Sequence, residues 1–276
     1  MKTVLITGAG SGFGLVTALE LAKNGFHVIA TLRTLQSQQA LNDKVAELKL
    51  TDKIIILEMD VTNDEHIEEV TQYVKQNYQR LDLLINNAGY SQGGFVADLS
   101  PDDFEKQLNV NLHGVFRVTN AMLPILEQAE KANIINISSV SGLIGFPGLS
   151  SYCTSKFALE GFSESLRLEL LQRNIYVSII EPSSYQTEIW HKSLQTIDHE
   201  TMEADPLKHS VFNYAKQTAY TEQNPKEIAD LIIKISHRSK PKLRYPIGKG
   251  ATAMFFAKRL LPWQLVEKII LKKLKK

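Results

Sequence analysis

Three side chains in this sequence have the types and the spacing needed for proton transfer. Tyr152 and Lys156 lie four residues apart in SYCTSKFALEG, and Ser139 lies thirteen positions before Tyr152 in INISSV. Because residues four apart share one face of a helix, we expect the Lys156 ammonium beside the Tyr152 phenol. An ammonium favours the phenolate, so we predict that the pKa of Tyr152 falls from about 10 toward neutrality. With Ser139 holding a substrate oxygen, the set predicts proton exchange with an alcohol or carbonyl group.

A glycine-rich segment, TGAGSGFG, follows the first apolar residues of the chain. Gly8, Gly12 and Gly14 permit a tight turn, a close backbone approach and packing of a following helix. Taken alone, such glycines are equally consistent with an ordinary turn. Between a strand and a helix, however, free N–H groups and the helix dipole favour a pyrophosphate. We therefore predict a dinucleotide site with the spacing TGxxxGxG.

Two further segments follow predicted strands at the same edge of the sheet. Asp60, in DVT, is either a helix cap or an acceptor for the adenine amino group. NNAG, from Asn86 to Gly89, is either a turn or a wall beside the cofactor. Because the glycine-rich segment lies at the same edge, we interpret both as parts of the cofactor site.

The end of the second predicted strand bears on the choice of cofactor. An NAD enzyme places an acid there to bind the ribose 2′-hydroxyl, whereas this chain reads HVIATLRT, with Thr31 at that position. With no carboxylate in this position, Arg33 and Ser11 are candidates to bind a 2′-phosphate by charge-assisted hydrogen bonds. Arg33 is alternatively a solvated cation at a helix entry. We predict NADP(H) rather than NAD(H).

Short β-branched runs alternate with longer helical patterns along the chain. Seven strands are predicted from TVLIT, HVIATL, KIIILEM, LDLLIN, NIINIS, IYVSII and LRYPIG, and helices over residues 14–24, 63–78, 101–127, 152–173 and 225–237. The alternation predicts an α/β fold: a single-domain, Rossmann-type, doubly wound, mainly parallel seven-stranded sheet with helices on both faces. Residues 188–224 are polar and weakly periodic, and we interpret them as a substrate cover.

Composition restricts the function classes. The 276 residues carry 31 basic and 30 acidic side chains, so the net charge of +1 does not favour binding to nucleic acid. The single cysteine, Cys153, excludes an intramolecular disulfide and a thiolate zinc cluster. The seven histidines lack short metal-binding spacings, so we predict no metal. The first apolar stretch is too short for a signal peptide or a membrane span, and we expect a cytoplasmic protein.

The tail over residues 249–276 has eight basic residues and one acid, Glu267. Val266, Ile269 and Ile270 occur at helical spacing among its lysines. Such a basic helix either contacts an anionic membrane surface or packs on the protein with a solvated lysine end. We favour packing on the protein and keep peripheral membrane contact as the alternative.

The segments TGAGSGFG, NNAG, NVNLHGVF with Asn111, INISSV with Ser139, and YCTSK together resemble the short-chain dehydrogenase/reductase family, from residue 3 to about residue 190. YCTSKFALEGFSESLRLEL and VIATLR are most similar to its 17β-hydroxysteroid dehydrogenase and retinol dehydrogenase-like branch. The resemblance implies an oxidoreductase that acts on a hydrophobic alcohol or carbonyl substrate, such as a steroid, a retinoid or another lipophilic ketone or aldehyde.

The same resemblance implies roles for individual residues. Tyr152 is the expected general acid/base, Lys156 the ribose-binding residue that lowers its pKa, Ser139 the anchor of the substrate oxygen, and Asn111 the support of a water in a proton relay. The implied cofactor contacts are Gly8, Ser11, Gly12, Phe13, Gly14, Arg33, Asp60, Val61, Asn87, Ala88, Gly89, Tyr152, Lys156, Pro182 and Thr187. One departure is Ser183, which stands where PGxxxT has glycine and is expected to alter the loop backbone.

The remaining predictions concern the substrate and the partners. An apolar pocket is predicted from Leu143, Phe146, Leu149, Tyr185 and Trp190, although for each residue alone core packing is the favoured interpretation. The resemblance implies a homodimer or homotetramer that pairs through residues 101–127 and 152–173. Two alternatives to an enzyme are a non-catalytic NADP(H)-sensing protein, expected to lack the tyrosine or lysine, and a lipid-surface binding protein built around the tail.

Overall fold

The structure is a computed structural model that describes residues 1–187, 189, 205–219 and 223–274. Seven strands form one sheet: β1 (Thr3–Ile6), β2 (His27–Leu32), β3 (Ile54–Glu58), β4 (Leu83–Asn86), β5 (Ala132–Ile137), β6 (Ile175–Pro182) and β7 (Arg244–Ile247). Their order is β3-β2-β1-β4-β5-β6-β7, and every neighbouring pair is parallel. The predicted fold class is confirmed.

Helices connect the strands across both faces of the sheet. They are α1 (Gly12–Lys23), α2 (Gln39–Glu47), α3 (Asp64–Tyr78), α4 (Pro101–Leu108), α5 (Val115–Leu126), α6 (Ser150–Leu170), α7 (Pro206–Ala219), α8 (Lys226–His237), α9 (Ala251–Leu260) and α10 (Trp263–Leu274). A π-helical turn, Asn109–Gly114, joins α4 to α5, and a 3₁₀ turn, Val140–Gly142, follows β5. Among the described residues, no helix has both the length and the apolar character needed to cross a membrane.

The core lies in two layers, one on each face of the sheet. In β1, Val4 and Ile6 pack into one layer, whereas Leu5 packs into the other. Alternate residues of a strand point to opposite faces, so a strand that is covered on both faces has apolar residues throughout. This arrangement explains the continuous apolar runs of the sequence.

Four segments differ from the sequence-based expectation. Helix α2 was not predicted. The region predicted as one helix over residues 101–127 contains the π-helical turn, which places Asn111 within it. The predicted substrate cover contains helix α7, while residues 188, 190–204 and 220–222 of that segment lie outside the described residues. The C-terminal tail forms two helices, because Pro262 has no N–H group and Leu261 before it is extended.

Candidate active site

The glycine-rich segment lies between β1 and α1, where its backbone is closely packed. Gly8 and Gly12 have φ values of +68° and +53°, in the left-handed region that favours glycine. A Cβ atom on Gly8 would lie 2.8 Å from Ala88 Cα, and one on Gly14 would lie 2.2 Å from the Gly8 carbonyl oxygen. A side chain at position 8 or 14 would therefore require the backbone to move.

Asn87 and Thr7 hold this loop in place. The Asn87 side-chain amide donates to the carbonyl oxygens of Thr7 and Gly8, at 2.9 and 3.0 Å. The backbone N–H groups of Asn87 and Ala88 both donate to Thr7 Oγ1, at 2.9 and 2.8 Å. NNAG therefore supports the glycine-rich loop directly. Sequence reasoning missed Thr7, although it is the first residue of TGAGSGFG.

Asn86, the first residue of NNAG, has a different environment from Asn87. It is buried, and its Nδ2 donates to Thr119 Oγ1 at 3.0 Å and to Asn136 Oδ1 at 2.8 Å. These contacts join β4 to β5 and α5 below the edge of the sheet. Asn86 therefore stabilises the sheet, whereas its neighbour supports the loop.

The N-terminus of α1 has groups that suit an anionic ligand. Ser11 is exposed and extended, and its hydroxyl makes no capping hydrogen bond. Beside it, a Cβ on Gly12 would lie 3.5 Å from the Thr187 methyl carbon. The Phe13 ring packs edge-on against Tyr185, with ring centroids 5.5 Å apart. Since the first N–H groups of a helix have no partner within it, this end fits the pyrophosphate of a dinucleotide.

An open cleft of about 720 Å³ lies beyond the ends of β2 and β3. Arg33, Glu58 and Asp60 are among the residues that line it. Asp60 Oδ1 accepts hydrogen bonds from the backbone N–H and the hydroxyl of Thr62, at 2.8 and 2.7 Å. Asp60 therefore makes the local contacts expected of a capping or turn residue, and it also lines the cleft where adenine is expected to bind. Its contact with adenine stays a prediction.

The residues expected to select the cofactor are placed differently from the prediction. Thr31 is fully buried, and its hydroxyl donates to the Ile6 carbonyl at 3.2 Å, because β2 continues to Leu32. A carboxylate from another strand lies near Arg33, since Glu58 lines the same cleft. Sequence reasoning missed Glu58, which is the last residue of β3.

Asn111 connects the cofactor end of the site with helix α6. Its Nδ2 donates to the Tyr90 carbonyl at 3.0 Å and to Ser155 Oγ at 3.1 Å, and its Oδ1 accepts from the Tyr90 N–H at 3.1 Å. Ser155 in turn donates to the Tyr152 carbonyl at 2.7 Å. A Cβ on Gly89 would lie 3.1 Å from Asn111 Oδ1. The predicted water relay at Asn111 stays a prediction.

The π-helical turn that carries Asn111 is held by two further contacts that sequence reasoning missed. A Cβ on Gly114 would lie 2.6 Å from Val61 Cγ2, so only glycine fits where the turn meets Val61. The buried Gln107 side chain accepts from the Gln92 N–H at 2.7 Å and donates to the Tyr90 carbonyl at 2.8 Å. π-helical turns often occur at functional sites.

Tyr152 and Lys156 lie on one face of α6, as the spacing predicts. The Lys156 Nζ atom lies 5.7 Å from the centroid of the Tyr152 ring and donates to the Ile137 carbonyl at 2.8 Å. Ser139 follows β5, and its Oγ accepts from the Ser141 N–H at 3.1 Å. Tyr152 and Lys156 are both buried. The three side chains therefore meet at the carboxyl end of β5.

Burial dominates the ionisation of this group. It raises the pKa of Tyr152 to about 12, and hydrogen bonding with Ser139 works in the opposite direction. Burial lowers the pKa of Lys156 to about 8, against the effect of Glu160. The prediction that the Tyr152 pKa moves toward neutrality is wrong for this structure, because desolvation of the phenolate outweighs the favourable contacts.

The departure at Ser183 is accommodated by a glycine immediately after β7. Ser183 is not among the residues with positive φ, and its N–H donates to the Ile247 carbonyl at 2.9 Å. Gly248 has a φ of +95°, and a Cβ there would lie 2.4 Å from Ser183 Oγ. Ser183 therefore does not adopt the left-handed conformation, and the change in the loop backbone relative to PGxxxT stays a prediction. Pro182 ends β6 immediately before it.

The predicted pocket residues have different environments. Leu143 packs with Ile144 and Val266 in a small apolar cluster, and Phe146 is partly buried against it. Tyr185 belongs to the main core, and its hydroxyl donates to Glu227 Oε2 at 3.0 Å. Leu149 immediately precedes α6, and Trp190 lies outside the described residues.

An apolar cavity of about 260 Å³ lies where the C-terminal helices approach the turn after β5. Its lining includes Ile144, Phe146, Met254, Val266 and Ile270. No group of three His, Cys, Asp or Glu side chains in the described ranges is placed to hold a metal ion. The predicted absence of a metal stays a prediction.

Known proteins resemble this chain along most of its length. The profile of the short chain dehydrogenase family matches residues 2–198. The uncharacterized oxidoreductase YusZ of Bacillus subtilis is 42% identical over 280 residues, which cover 99% of this chain and 98% of the relative. A 3-ketodihydrosphingosine reductase of Bacteroides thetaiotaomicron is 32% identical, covering 92% and 90%. Retinol dehydrogenase 8 of Bos taurus is 32% identical, covering 95% and 86%.

Solved structures share the same fold. A short-chain dehydrogenase from Streptomyces avermitilis has a TM-score of 0.79 and 27% identity, with 97% of each chain covered. ElxO with NADP bound has a TM-score of 0.74 and 25% identity, covering 91% of this chain and 99% of ElxO. A short-chain dehydrogenase/reductase from Burkholderia phymatum in complex with NAD has a TM-score of 0.80, covering 97% and 95%, but at 23% identity it shows the fold alone.

The family match, the full-length relatives and the shared fold agree with the site geometry. The family match does not decide between NAD and NADP. This chain belongs to the short-chain dehydrogenase/reductase family, as an oxidoreductase with retinol dehydrogenase-like relatives.

Proposed function

We propose that this protein transfers a hydride between NADP(H) and a hydrophobic alcohol or carbonyl substrate, with Tyr152 as the general acid/base. The observation that carries the proposal is the meeting of Tyr152, Lys156 and Ser139 at the end of β5, tied through Asn111 to the loop after β4. This arrangement joins a proton donor to a dinucleotide site. A non-catalytic NADP(H)-sensing protein would have no use for the donor.

In the reducing direction, each side chain has a defined task. A bound nicotinamide would supply the hydride to the carbonyl carbon. The electron pair of the C=O π bond moves to oxygen, which takes the Tyr152 proton while the Ser139 hydroxyl donates a hydrogen bond to it. The Lys156 ammonium then compensates the phenolate that remains. Because the pKa of Tyr152 is about 12, the phenol holds its proton at neutral pH, which suits reduction.

The test is a panel of lipophilic ketones and aldehydes, followed by NADPH absorbance, with wild type and Tyr152→Phe. We expect kcat/KM to fall by at least about 100-fold in the variant, since general acid catalysis contributes factors of this order. NADPH affinity is the control and should change little, because Phe keeps the ring. If Tyr152→Phe turned over as fast as wild type, Tyr152 would not be the general acid/base.

The preference for NADP(H) rests on Arg33 and Ser11. Arg33 is exposed, lines the cleft and makes no ion pair within the described ranges, and the Ser11 hydroxyl makes no capping bond. Glu58 opposes the preference, because a carboxylate in the same cleft repels a 2′-phosphate. We expect Arg33→Ala to weaken NADPH binding and Glu58→Gln to strengthen it, with NADH affected less. Fluorescence titration of wild type and both variants with each cofactor measures the six affinities, and unchanged discrimination in both variants would contradict the assignment.

The hydrophobic substrate class is supported by the cavity beside the turn after β5. Its apolar lining, with Phe146 and Met254, suits a lipophilic ketone or aldehyde rather than a charged metabolite. Two relatives have names that specify lipophilic compounds, a retinol and a 3-ketodihydrosphingosine. We further propose residues 188–224 as the substrate cover, because α7 contributes Tyr214 to the cavity lining.

A second proposal is peripheral membrane contact through the C-terminal helices. Large apolar side chains are exposed there, including Leu260 at 74% and Trp263 at 49%, beside cations such as Lys258. This combination suits an anionic lipid surface. Vesicle flotation with and without phosphatidylserine tests it with Leu260→Glu as the variant. We expect wild type alone to float with the anionic vesicles, and equal failure of both proteins would end the idea.

A cytoplasmic homodimer or homotetramer is the proposed state of the protein. Exposed apolar side chains on α5 and α6 favour pairing through these helices: Phe116 is 53% exposed and Leu168 is 77% exposed. Light scattering should give at least twice the mass of one chain. We expect Phe116→Asp to reduce that mass, while Val96→Asp, at an exposed position in neither helix, leaves it unchanged.

A further inference from the structure

The catalytic face of α6 continues beyond Lys156. Tyr152, Lys156, Glu160 and Glu164 follow one another at intervals of four residues, so they form one stripe along the helix. Glu160 is only 5% exposed, which is unusual for a carboxylate. The reaction steps above make no use of it.

The Glu160 carboxylate lies against the turn that follows Ser139. A Cβ on Gly142 would lie 3.0 Å from Glu160 Oε1 and 2.8 Å from Ser138 Oγ. Only a glycine at position 142 leaves room for both groups. Glu160 is therefore packed beneath the residues that hold the substrate oxygen and one helical turn from Lys156.

Arg244 of β7 binds Glu160 together with two other carboxylates. It forms ion pairs with Glu160, with Glu181 of β6 at 2.6 Å, and with Glu164 at 2.6 Å. Glu181 is fully buried, whereas the Glu164 side chain is half exposed. Glu160 and Glu181 each keep one carboxylate oxygen without a hydrogen-bond partner in the described part of the chain.

Lys156 adds a buried cation beside this cluster. Glu160 and Glu181 are two buried carboxyl groups, and the Arg244 guanidinium lies between them. The Glu164 side chain is half exposed, so solvent screens its contact with Arg244 more than the two buried contacts. A buried charge without compensation is costly, so a second buried cation is favoured nearby. Lys156, also buried, is that cation.

We propose that Glu160 is a positioning residue that keeps the Lys156 side chain charged, with Arg244 and Glu181 holding the Glu160 carboxylate in place. The proposal rests on the proposed function for the role of Lys156 in the reaction, but the charge of Lys156 is measurable without turnover. Under this proposal, Glu181 of β6 and Arg244 of β7 influence the charge of Lys156 on α6 through Glu160.

The groups that face Lys156, Glu160 and Glu181 come from α6, β5 and the turn after it, β7 and α9. Lys156 is faced by Tyr152 and Glu160 of its own helix and by the Ile137 carbonyl of β5. Glu160 is faced by Ser138 after β5, Arg244 of β7 and Lys156 itself, which all lower its pKa, whereas burial raises it. Glu181 is faced by Glu160, Arg244 and, from α9, Arg259.

These influences agree in direction with the proposal. Burial lowers the pKa of Lys156 to about 8, and Glu160 is the group that raises it. Burial and the charge of Glu160 raise the pKa of Glu181 to about 7. Without the Glu160 charge, Lys156 would lose its proton at a lower pH. The folded protein would then hold an uncharged lysine beside Tyr152 near neutral pH.

The direct test is an NMR titration of Lys156 in the full-length protein without added nucleotide. Lysines are labelled with ¹³C at Cε, and the Lys156 signal is identified by its loss in Lys156→Ala. We expect Glu160→Gln to lower the titration midpoint by about one pH unit, the lower end of the usual effect of a nearby opposite charge. Glu164→Gln is the matched control, because it removes another partner of Arg244 on the same helix, and it should move the midpoint by less than about 0.3 units.

Two further measurements separate this role from a structural one. Glu160→Asp retains the charge and should restore a midpoint close to wild type; it also serves if Glu160→Gln does not fold. In carbonyl reduction, the alkaline limb of the kcat/KM profile should move to lower pH in Glu160→Gln but not in Glu164→Gln. An unmoved Lys156 midpoint in Glu160→Gln, or an equal shift in Glu164→Gln, would overturn the proposal. A protein that reduced no carbonyl would contradict the proposed function but leave the NMR result standing.

Discussion

The glycine-rich loop and the C-terminal helices both border the active site, but different contacts form them. The loop depends on backbone atoms so close that positions 8 and 14 have no space for a side chain. The C-terminal helices meet the turn after β5 through apolar side chains, among them Leu143, Ile144 and Val266. Backbone contacts of this kind tolerate almost no substitution, whereas apolar packing tolerates changes that conserve volume. The cofactor end is therefore expected to be rigid and the substrate end adaptable.

The largest expected effect is at Gly14, at the rigid end. In Gly14→Ala, the new methyl group would lie 2.2 Å from the Gly8 carbonyl oxygen and 2.6 Å from Asn87 Nδ2, so the loop must move. We expect at least about a tenfold loss of NADPH affinity and a loss of about 1–3 kcal/mol in unfolding free energy, as for overpacked sites. Fluorescence titration and urea unfolding measure the two quantities.

Gly161→Ala is the control for this prediction. Gly161 lies in α6, and a Cβ there would have no neighbour within 4 Å. Alanine in a helix is favoured over glycine by about 0.5–1 kcal/mol, so this variant should be slightly more stable. If both variants bound NADPH like wild type, the rigidity of the loop would be disproved.

A smaller effect is expected at Gly248, where the two ends of the site meet. Gly248 has a φ of +95°, and a Cβ would lie 2.4 Å from Ser183 Oγ. We expect Gly248→Ala to lower the unfolding free energy by about 1–3 kcal/mol, through backbone strain and the clash. Ser183→Gly in the same background removes the clash but not the strain, so it should restore part of the loss. Urea unfolding of the single and double variants measures the coupling, and full additivity would argue against the contact.

The next comparison is between the neighbours Asn87 and Asn86. Asn87→Ala removes two hydrogen bonds to the glycine-rich loop and should weaken NADPH binding by about 1–2 kcal/mol. Asn86→Ala removes hydrogen bonds inside the sheet and should lower the unfolding free energy by about 1–3 kcal/mol, with a smaller effect on affinity. Fluorescence titration should show the larger loss of NADPH affinity in Asn87→Ala, and urea unfolding should show the larger loss of unfolding free energy in Asn86→Ala. The same pattern in both variants would contradict the separate roles.

The smallest effect is expected at the adaptable end. Met254 lines the apolar cavity. Met254→Ala should therefore raise KM for a lipophilic substrate by about two- to tenfold. The reason is that one or two lost methylene contacts are worth about 1 kcal/mol. NADPH affinity should not change. Met254→Leu conserves volume and should behave like wild type. A loss of NADPH affinity in Met254→Ala would show that the two ends are not separate.

Much of the fold could be predicted, because its signals are local. All seven strands occur where short apolar runs predict them, since a strand covered on both faces has no polar alternation. The helix over residues 63–78 agrees with α3 to within one residue, because Asn63 caps it through two backbone N–H groups. The break at Pro262 and helix α7 were missed. Helix α7 was missed because its mixed polar pattern resembles a loop.

The candidate site was predictable to a different extent in each part. The positions of Tyr152 and Lys156 follow from helical spacing alone. The pKa of Tyr152 did not follow, because its value depends on burial, which is a property of the packed protein. Glu58 was missed as a part of the cofactor cleft, since its position beside Arg33 depends on the pairing of β2 with β3.

The amino-acid sequence by itself determined the glycine-rich turn, the strand and helix alternation, and the catalytic stripe of α6 as far as Lys156. These features depend on backbone conformation and on contacts between near neighbours in the chain. Only the tertiary structure decided that Arg244, 84 residues after Glu160, closes a buried ion cluster beneath that stripe. Such contacts form because parallel strands bring distant residues to one edge of the sheet, and no local pattern specifies which of them will meet.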